Sequence, residues 1–194
     1  KNIKKAKTIK NVIIAVPSDK YIELFRLVAK KNKVKFFFTN KADEKDVLKR
    51  YYLCSKKFKS KNIIRVTSDC PFLNPIIIDK MVNYYKKNKL NFLTNNEPRY
   101  LPHGFDCEII KSDLLKEMHL KAKNPYEREH VTPWIYTNIF KKENNFKIIE
   151  ENLSKVRLTL DYDKDYIKFK KNVELLKKIS QRPNYLTFLK KNFK

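Results

Sequence analysis

The stretch Ile63-Ile64-Arg65-Val66-Thr67-Ser68-Asp69-Cys70-Pro71 decides how the rest of the chain is read. An apolar, β-branched run gives way to a short polar group ending in a carboxylate, and a proline closes the strand. That pattern places Asp69 at the carboxyl end of a buried strand. In an open α/β sheet this rim is where ligands bind. An aspartate after a strand also serves turns, through hydrogen bonds to its own backbone, so the flanking sequence has to decide between the two.

Upstream, Val12 to Val16 is a continuous apolar run bounded by Pro17, and Val34 to Phe38 is a second. Both read as buried parallel strands. Three helices precede or separate these strands. Lys1 to Ile9 carries Ile3, Ala6 and Ile9 on one face. Asp19 caps a helix to about Lys31 with Ile22, Phe25, Val28 and Ala29 inward. Asp43 opens a helix with Val47, Leu48, Tyr51 and Cys54 on one side. Strands and helices alternating at this spacing predict an α/β fold with a parallel, doubly wound sheet.

Downstream, Pro75 suits the first turn of a helix that buries Ile78, Met81, Val82 and Tyr85. Leu90 to Thr94 reads as a strand, followed by a polar, proline-rich loop from Asn95 to His103. Gly104, the only glycine in the chain, follows it and predicts either a positive φ or the close approach of a ligand. Phe105 to Ile110 alternates like a strand, which sets Asp106 and Glu108 on one face. Two such carboxylates need a cation, a hydroxyl-rich ligand or basic side chains between them; the bland alternative is an acidic solvent face. Helices are expected at Asp113 to Lys121 and from Pro125 through Phe140, the second broken near His130 by Pro133. Phe146 to Ile149 and Val156 to Leu160 read as strands, the latter ending at Asp161. A helix with Tyr166, Phe169, Val173 and Leu176 follows, with Asp163 and Asp165 in its first turn, and Pro183 to Lys194 forms a short basic helix.

Composition bounds the function. At 194 residues and 42% apolar, residues 1–194 make one domain with a real core. The formal charge of +24 would suit nucleic acid. The basic residues are nevertheless spread from end to end alongside abundant Asn, Ile, Phe and Tyr, and no helix-turn-helix, zinc-finger or aromatic RNA-binding motif accompanies them, so the charge reads as a solvated surface. Cys54, Cys70 and Cys107 form neither a disulfide framework nor a zinc ribbon, and Cys70 and Cys107 read as small apolar fillers beside candidate carboxylates. A reducing cytoplasm fits. No apolar stretch approaches the ~20 residues that span a bilayer, and no signal-peptide pattern is present, so the expectation is a soluble protein.

Four motifs, in order, carry a resemblance. Arg65-Val66-Thr67-Ser68-Asp69-Cys70-Pro71, Pro102-His103-Gly104-Phe105-Asp106-Cys107-Glu108, Glu127-Arg128-Glu129-His130-Val131-Thr132-Pro133 and Arg157-Leu158-Thr159-Leu160-Asp161 resemble the cytidylyltransferase family. The likeness is greatest to its spore coat polysaccharide biosynthesis branch, related to the enzymes that make CMP-activated sialic (acylneuraminate) and Kdo sugar acids, and it includes the helix Asp46 to Tyr52.

The resemblance implies a nucleotide-diphospho-sugar transferase fold, Rossmann-like, with a mostly parallel sheet and flanking helices. It implies nucleotidyl transfer from CTP to a sugar or sugar acid, Mg2+ as cofactor, and a homodimer. By the same resemblance Asp69 and Asp161 hold the metal and are catalytic. Arg65, Thr67 and Ser68 lie with Asp69 beside the nucleotide. His103, Gly104, Asp106 and Glu108 face the acceptor sugar. Arg128 is catalytic as well and offers its fork to a sugar carboxylate or phosphate, and His130 serves as a proton carrier, the alternative for His130 being a structural histidine packed on Trp134.

Family members begin with a strand and a basic, glycine-containing loop around the triphosphate, whereas this chain starts at Lys1 past that point. The expectation is an N-terminally truncated chain with an exposed neighbouring strand edge. Two other readings stand beside the enzyme: a scaffold of the same fold without the triphosphate loop, and a basic nucleic-acid-binding protein, which salt-sensitive, sequence-independent DNA binding would reduce to incidental charge.

Overall fold

The computed structural model describes residues 2–17, 21–40, 42–149, 152–167 and 169–170. In chain order these form a 3-10 turn at Ile3–Lys5, β1 (Ile13–Pro17), α1 (Ile22–Asn32), β2 (Lys35–Thr39), α2 (Val47–Lys57), β3 (Asn62–Arg65), α3 (Pro75–Lys87), β4 (Phe92–Thr94), β5 (Glu108–Lys111), α4 (Ser112–Lys121), α5 (Pro125–His130), α6 (Pro133–Asn138) and a 3-10 turn at Lys142–Asn144. Residues 163–167 and 169–170 are also helical. The fold is α/β. Asp19, Val173, Leu176 and the stretch 183–194 lie outside the described residues.

The chain groups into two compact units, one of residues 1–9, 64–109 and 143–194, the other of residues 10–63 and 110–142. In the second unit β1 and β2 run parallel, registered from Ile13 opposite Lys35 to Pro17 opposite Thr39, with α1 as the connection between them. Leu48 of α2 is fully buried. Helix α2 begins at Val47 because Asp46, and not Asp43, caps it: the Asp46 carboxylate accepts the Lys49 N–H at 3.1 Å. Asp43 instead holds the preceding turn through the Lys45 N–H. In α1 only Ala29 is buried, while Val28 faces solvent with Leu24 and Leu27. The expectation of an inward Val28 therefore fails.

The first unit holds the larger core. Helix α3 starts where Asn74 accepts the Ile76 N–H at 2.7 Å and Pro75 fills the first turn, where it costs no hydrogen bond. Its Ile77, Ile78, Met81, Val82 and Tyr85 pack with Phe72, Leu73, Leu101, Phe105 and Leu158. The N-terminal segment is tied to α3 by Asp79, whose carboxylate accepts the Lys7 and Thr8 N–H groups at 3.0 and 2.8 Å and the Thr8 hydroxyl at 2.6 Å. Burial opposes the charge on Asp79, but the Thr8 hydroxyl and these two N–H groups outweigh it and hold the carboxyl below the usual range.

A three-stranded sheet has the order β3-β5-β4. Its first pair is antiparallel: Lys61, before β3, accepts the N–H of Ser112, after β5, while Arg65 at the end of β3 reaches Glu108 at the start of β5. Four expected strands are shorter or absent, β4 keeping only Phe92–Thr94 of the expected Leu90 to Thr94. Strand β5 starts at Glu108 and not Phe105, because the side chain of Asn95 takes over that backbone: its amide donates to Phe105 O at 2.8 Å and its oxygen accepts the Cys107 N–H at 2.9 Å. Residues 146–149 form no strand: an isolated parallel bridge pairs Asn145, just before them, with Thr94, and the Phe146 N–H donates to Thr94 O. Residues 156–160 exchange partners along their length, which leaves no ladder with one neighbour. His103 N donates to Val156 O and Leu158 N to His103 O, and then Leu160 N turns to Asp69 O. No helix of the described residues is long and apolar enough to cross a membrane.

Candidate active site

Three of the four sequence motifs meet in the first unit, and backbone contacts make them meet. Gly104 has φ +101°, and a Cβ built on it would lie 2.8 Å from Leu158 O and 2.9 Å from Leu158 C. No other residue type fits without moving the backbone beneath it. The glycine thus serves the positive φ expected of it, and what fills the side-chain direction is the protein's own segment 158–159. One residue pair further on, the Leu160 N–H donates to Asp69 O at 2.9 Å. The ends of two segments that carry Asp69 and Asp161 are thereby fixed side by side.

The side chains at this junction differ in how far they are engaged. Asp69 is half-buried, and among the described residues no hydrogen bond or ion pair is recorded for its carboxylate. Thr67 and Ser68 are exposed beside it, with Thr67 Oγ1 3.3 Å from Cys70 Sγ. Burial, with Asp69 and Asp106 nearby, pushes the Cys70 thiol up to about 11, and burial also raises Cys107. Both are neutral fillers.

Asp161 is exposed and held on one oxygen. Its Oδ2 accepts Arg157 Nη2 at 2.5 Å and the Thr159 hydroxyl at 2.7 Å. Arg157 is itself held by Asp165, whose Oδ1 accepts Arg157 Nη1 at 2.6 Å and whose Oδ2 accepts the N–H groups of Asp161 and Tyr162 at 3.1 and 3.0 Å. The Arg157 bond, with these two N–H groups, keeps the Asp165 carboxyl well below the usual carboxylate range.

His103 is exposed, and its backbone pairs with the Arg157 segment. Burial lowers its pKa, and Arg99 and Arg157 lower it further against the pull of Asp106. Asp106 is paired with Arg99. The space beside the two acids Asp106 and Glu108 is thus filled by basic side chains, one arginine each, since Glu108 is buried against Arg65 at 2.5 Å. Arg65 and Glu108 therefore form an internal ion pair where the sequence suggested nucleotide and sugar contacts.

The fourth motif lies in the second unit and is built differently. All five N–H donors of Arg128 have acceptors. Nε and Nη2 grip Asp46 at 2.9 and 2.8 Å, Nη1 reaches the carbonyls of His119 and Ala122, and Nη2 also meets His119 Nδ1 at 3.2 Å. The fork that the sequence offered to a substrate is occupied by Asp46. His119, stacked on Tyr52 at 4.3 Å, has its pKa lowered by burial and then by Arg128, which keeps the Nδ1 lone pair available. His130 is exposed against Tyr126 at 4.4 Å, not packed on Trp134. The helix does break there, with Val131 at φ +74° between α5 and α6, yet the N–H groups of Val131 and Thr132 are bonded to Glu127 O and His130 O.

The sequence assigned no site role to Arg157, Thr159, Asp165, Arg99 or Asn95, and to Asp165 only that of an acid in a helix's first turn. The only signal for the first three was Arg157-Leu158-Thr159-Leu160-Asp161 followed by an acid four residues later. Among the described residues no group of three or more His, Cys, Asp or Glu side chains forms a metal cluster. The open donors at the junction are hard carboxylate oxygens, two residues in number, which suits an ion that completes its shell with water and phosphate.

A family model described as cytidylyltransferase matches residues 1–190. The chain is 32% identical over 183 residues to an uncharacterised protein of Methanocaldococcus jannaschii, spanning 90% of this chain and 71% of that one. It is 27% identical over 150 residues to the spore coat polysaccharide biosynthesis protein SpsF of Bacillus subtilis, spanning 74% and 59%. Among solved structures, a cytidylyltransferase from Leptospira borgpetersenii superposes with a TM-score of 0.84 at 29% identity, over 98% of this chain and 80% of that one. With the match running nearly end to end, the chain belongs to the cytidylyltransferase family.

Proposed function

We propose that the protein transfers a cytidylyl group from CTP to a hydroxyl of a sugar or sugar acid and releases pyrophosphate, in the synthesis of a surface polysaccharide. The observation that carries this reading is the Leu160 N–H to Asp69 O bond, which brings the carboxylate ends of two motifs together in a chain of this family. The name of the Bacillus subtilis relative supports the polysaccharide as destination.

In the reaction a bond forms between the acceptor oxygen and the α-phosphorus, and the bond from that phosphorus to pyrophosphate breaks. The hydroxyl proton must leave. His103, exposed and with its pKa lowered, is neutral at neutral pH and can take it on a ring nitrogen. The Thr67 and Ser68 hydroxyls, exposed on the loop that presents Asp69, supply donors to the nucleotide. Mg2+ held by Asp69 and Asp161 would neutralise charge developing on the phosphates.

Calorimetric titration of CTP with Mg2+ tests the reading, followed by pyrophosphate release with candidate sugar acids. Asp69→Ala and Asp161→Ala should each remove Mg2+-dependent CTP binding and leave the protein folded. Undiminished binding in both would sink the metal assignment.

A further inference from the structure

The two acids beside Arg157 are held in unlike ways, and the difference is specific to single oxygen atoms. Asp165 has both oxygens occupied, Oδ1 by Arg157 and Oδ2 by the N–H groups of Asp161 and Tyr162. Asp161 has only Oδ2 occupied, by Arg157 Nη2 and the Thr159 hydroxyl, and among the described residues no donor is recorded on its Oδ1. The guanidinium also lies over the Tyr162 ring, 5.4 Å from its centroid, so its plane is fixed from a third side.

We propose that Arg157, anchored by Asp165, is the positioning residue that ties down Asp161 Oδ2 together with Thr159 and so presents Oδ1 as a one-oxygen ligand to the divalent cation. This rests on the reading of Asp69 and Asp161 as the cation's carboxylates. A carboxylate that is free to rotate offers a cation two oxygens and must lose that freedom on binding; one already fixed by a forked donor does not. Of the two acids that hold Arg157, Asp161 is the ligand and Asp165 is not, because of these two Asp161 alone keeps an oxygen without a donor. Arg157 does not compete with the cation, since it occupies the oxygen the cation does not need.

The test is titration of Mn2+ into the full chain in the presence of CTP, followed by calorimetry and by the electron paramagnetic resonance signal of free Mn2+, with thermal melting alongside. Arg157→Ala is expected to weaken Mn2+ binding 10- to 100-fold, the range found when partners of metal ligands are removed. Thr159→Val should weaken it by a smaller factor, and Arg157→Lys, a single-point donor that cannot span Asp161 and Asp165, should lie between Arg157→Ala and the parent. Thr159→Val and Arg157→Lys keep the test decisive should Arg157→Ala fail to fold.

Mn2+ binding that is unchanged or tighter in the folded variants would overturn the proposal, the tighter result showing that Arg157 competes with the cation. A parent chain that binds no Mn2+ with CTP would instead overturn the underlying assignment of the two carboxylates. The two failures are therefore distinguishable.

Discussion

Arg157 and Arg128 are both forked donors closed on carboxylates, and what separates them is what each leaves over. Arg128 spends five N–H groups on Asp46, two backbone carbonyls and a histidine nitrogen, and Asp46 uses its remaining capacity to cap α2. Every N–H donor of Arg128 is thereby engaged within the described residues. Arg157 holds two acids but satisfies only one of them fully, and the half-satisfied one, Asp161, is exposed next to an acid with no recorded partner among the described residues. The side chains of Arg128 and Asp46 are 17% and 22% exposed, against 37% and 42% for Arg157 and Asp161. The same chemistry thus builds a clamp in one unit and an open site in the other, and donor accounting separates them where residue type does not.

The contrast can be broken most directly at Arg128. Arg128→Ala should cost about 3 kcal/mol of stability, because it strands a largely buried Asp46 carboxylate and orphans two carbonyls. Chemical denaturation measures it. A variant that unfolded like the parent but had lost CTP binding would return Arg128 to a substrate role.

Next in size, Gly104→Ala should cost about 2 kcal/mol, since the new Cβ meets the Leu158 carbonyl at a positive φ. Because the 158–161 segment must move to relieve it, CTP and Mg2+ affinity should fall in the same variant. Lost stability with full affinity would show that the open site does not depend on this backbone contact.

Asp79→Asn should cost about 1 kcal/mol at neutral pH by weakening the three bonds to Lys7 and Thr8. The native Asp79 carboxyl titrates below its unfolded value, so its stabilisation is complete above the unfolded value and disappears as pH falls through the native one. The difference between variant and parent, followed by urea denaturation against pH, should therefore close in acid.

The smallest effect belongs to His119. Its lowered pKa means that protonation favours the unfolded chain, so the clamp's contribution is present above the ordinary histidine range and declines as pH drops through the native value. His119→Phe should flatten that part of the stability profile with little change at neutral pH, and an unflattened profile would remove His119 from the clamp.

What could be read in the sequence was what is local. Helix α3 runs from Pro75 as its Asn-Pro start signals, and each of its four expected core residues is buried. The parallel pair β1 and β2 follows from two apolar runs around a helix. The single glycine, in a chain that uses it nowhere else, marked a close backbone contact with Leu158. Where a distant residue takes over the backbone, the local reading fails: Asn95 shortens β5, and segment 156–160 divides its bonds between His103 and Asp69. The motif residues themselves were identifiable, and the junction of Thr67 to Cys70, His103 to Asp106 and Arg157 to Asp161 gathers three of the four motifs.

Availability was not identifiable. Arg65 and Glu108 pair across 43 residues and Arg128 and Asp46 across 82. The sequence by itself determined which residue types stand at strand ends and which faces are apolar, because those follow from periods of two and 3.6 residues along the chain. Only the tertiary structure decided which charges remain open, because a carboxylate is claimed by the nearest donor in space, and that donor arrives from a segment whose position no local pattern encodes.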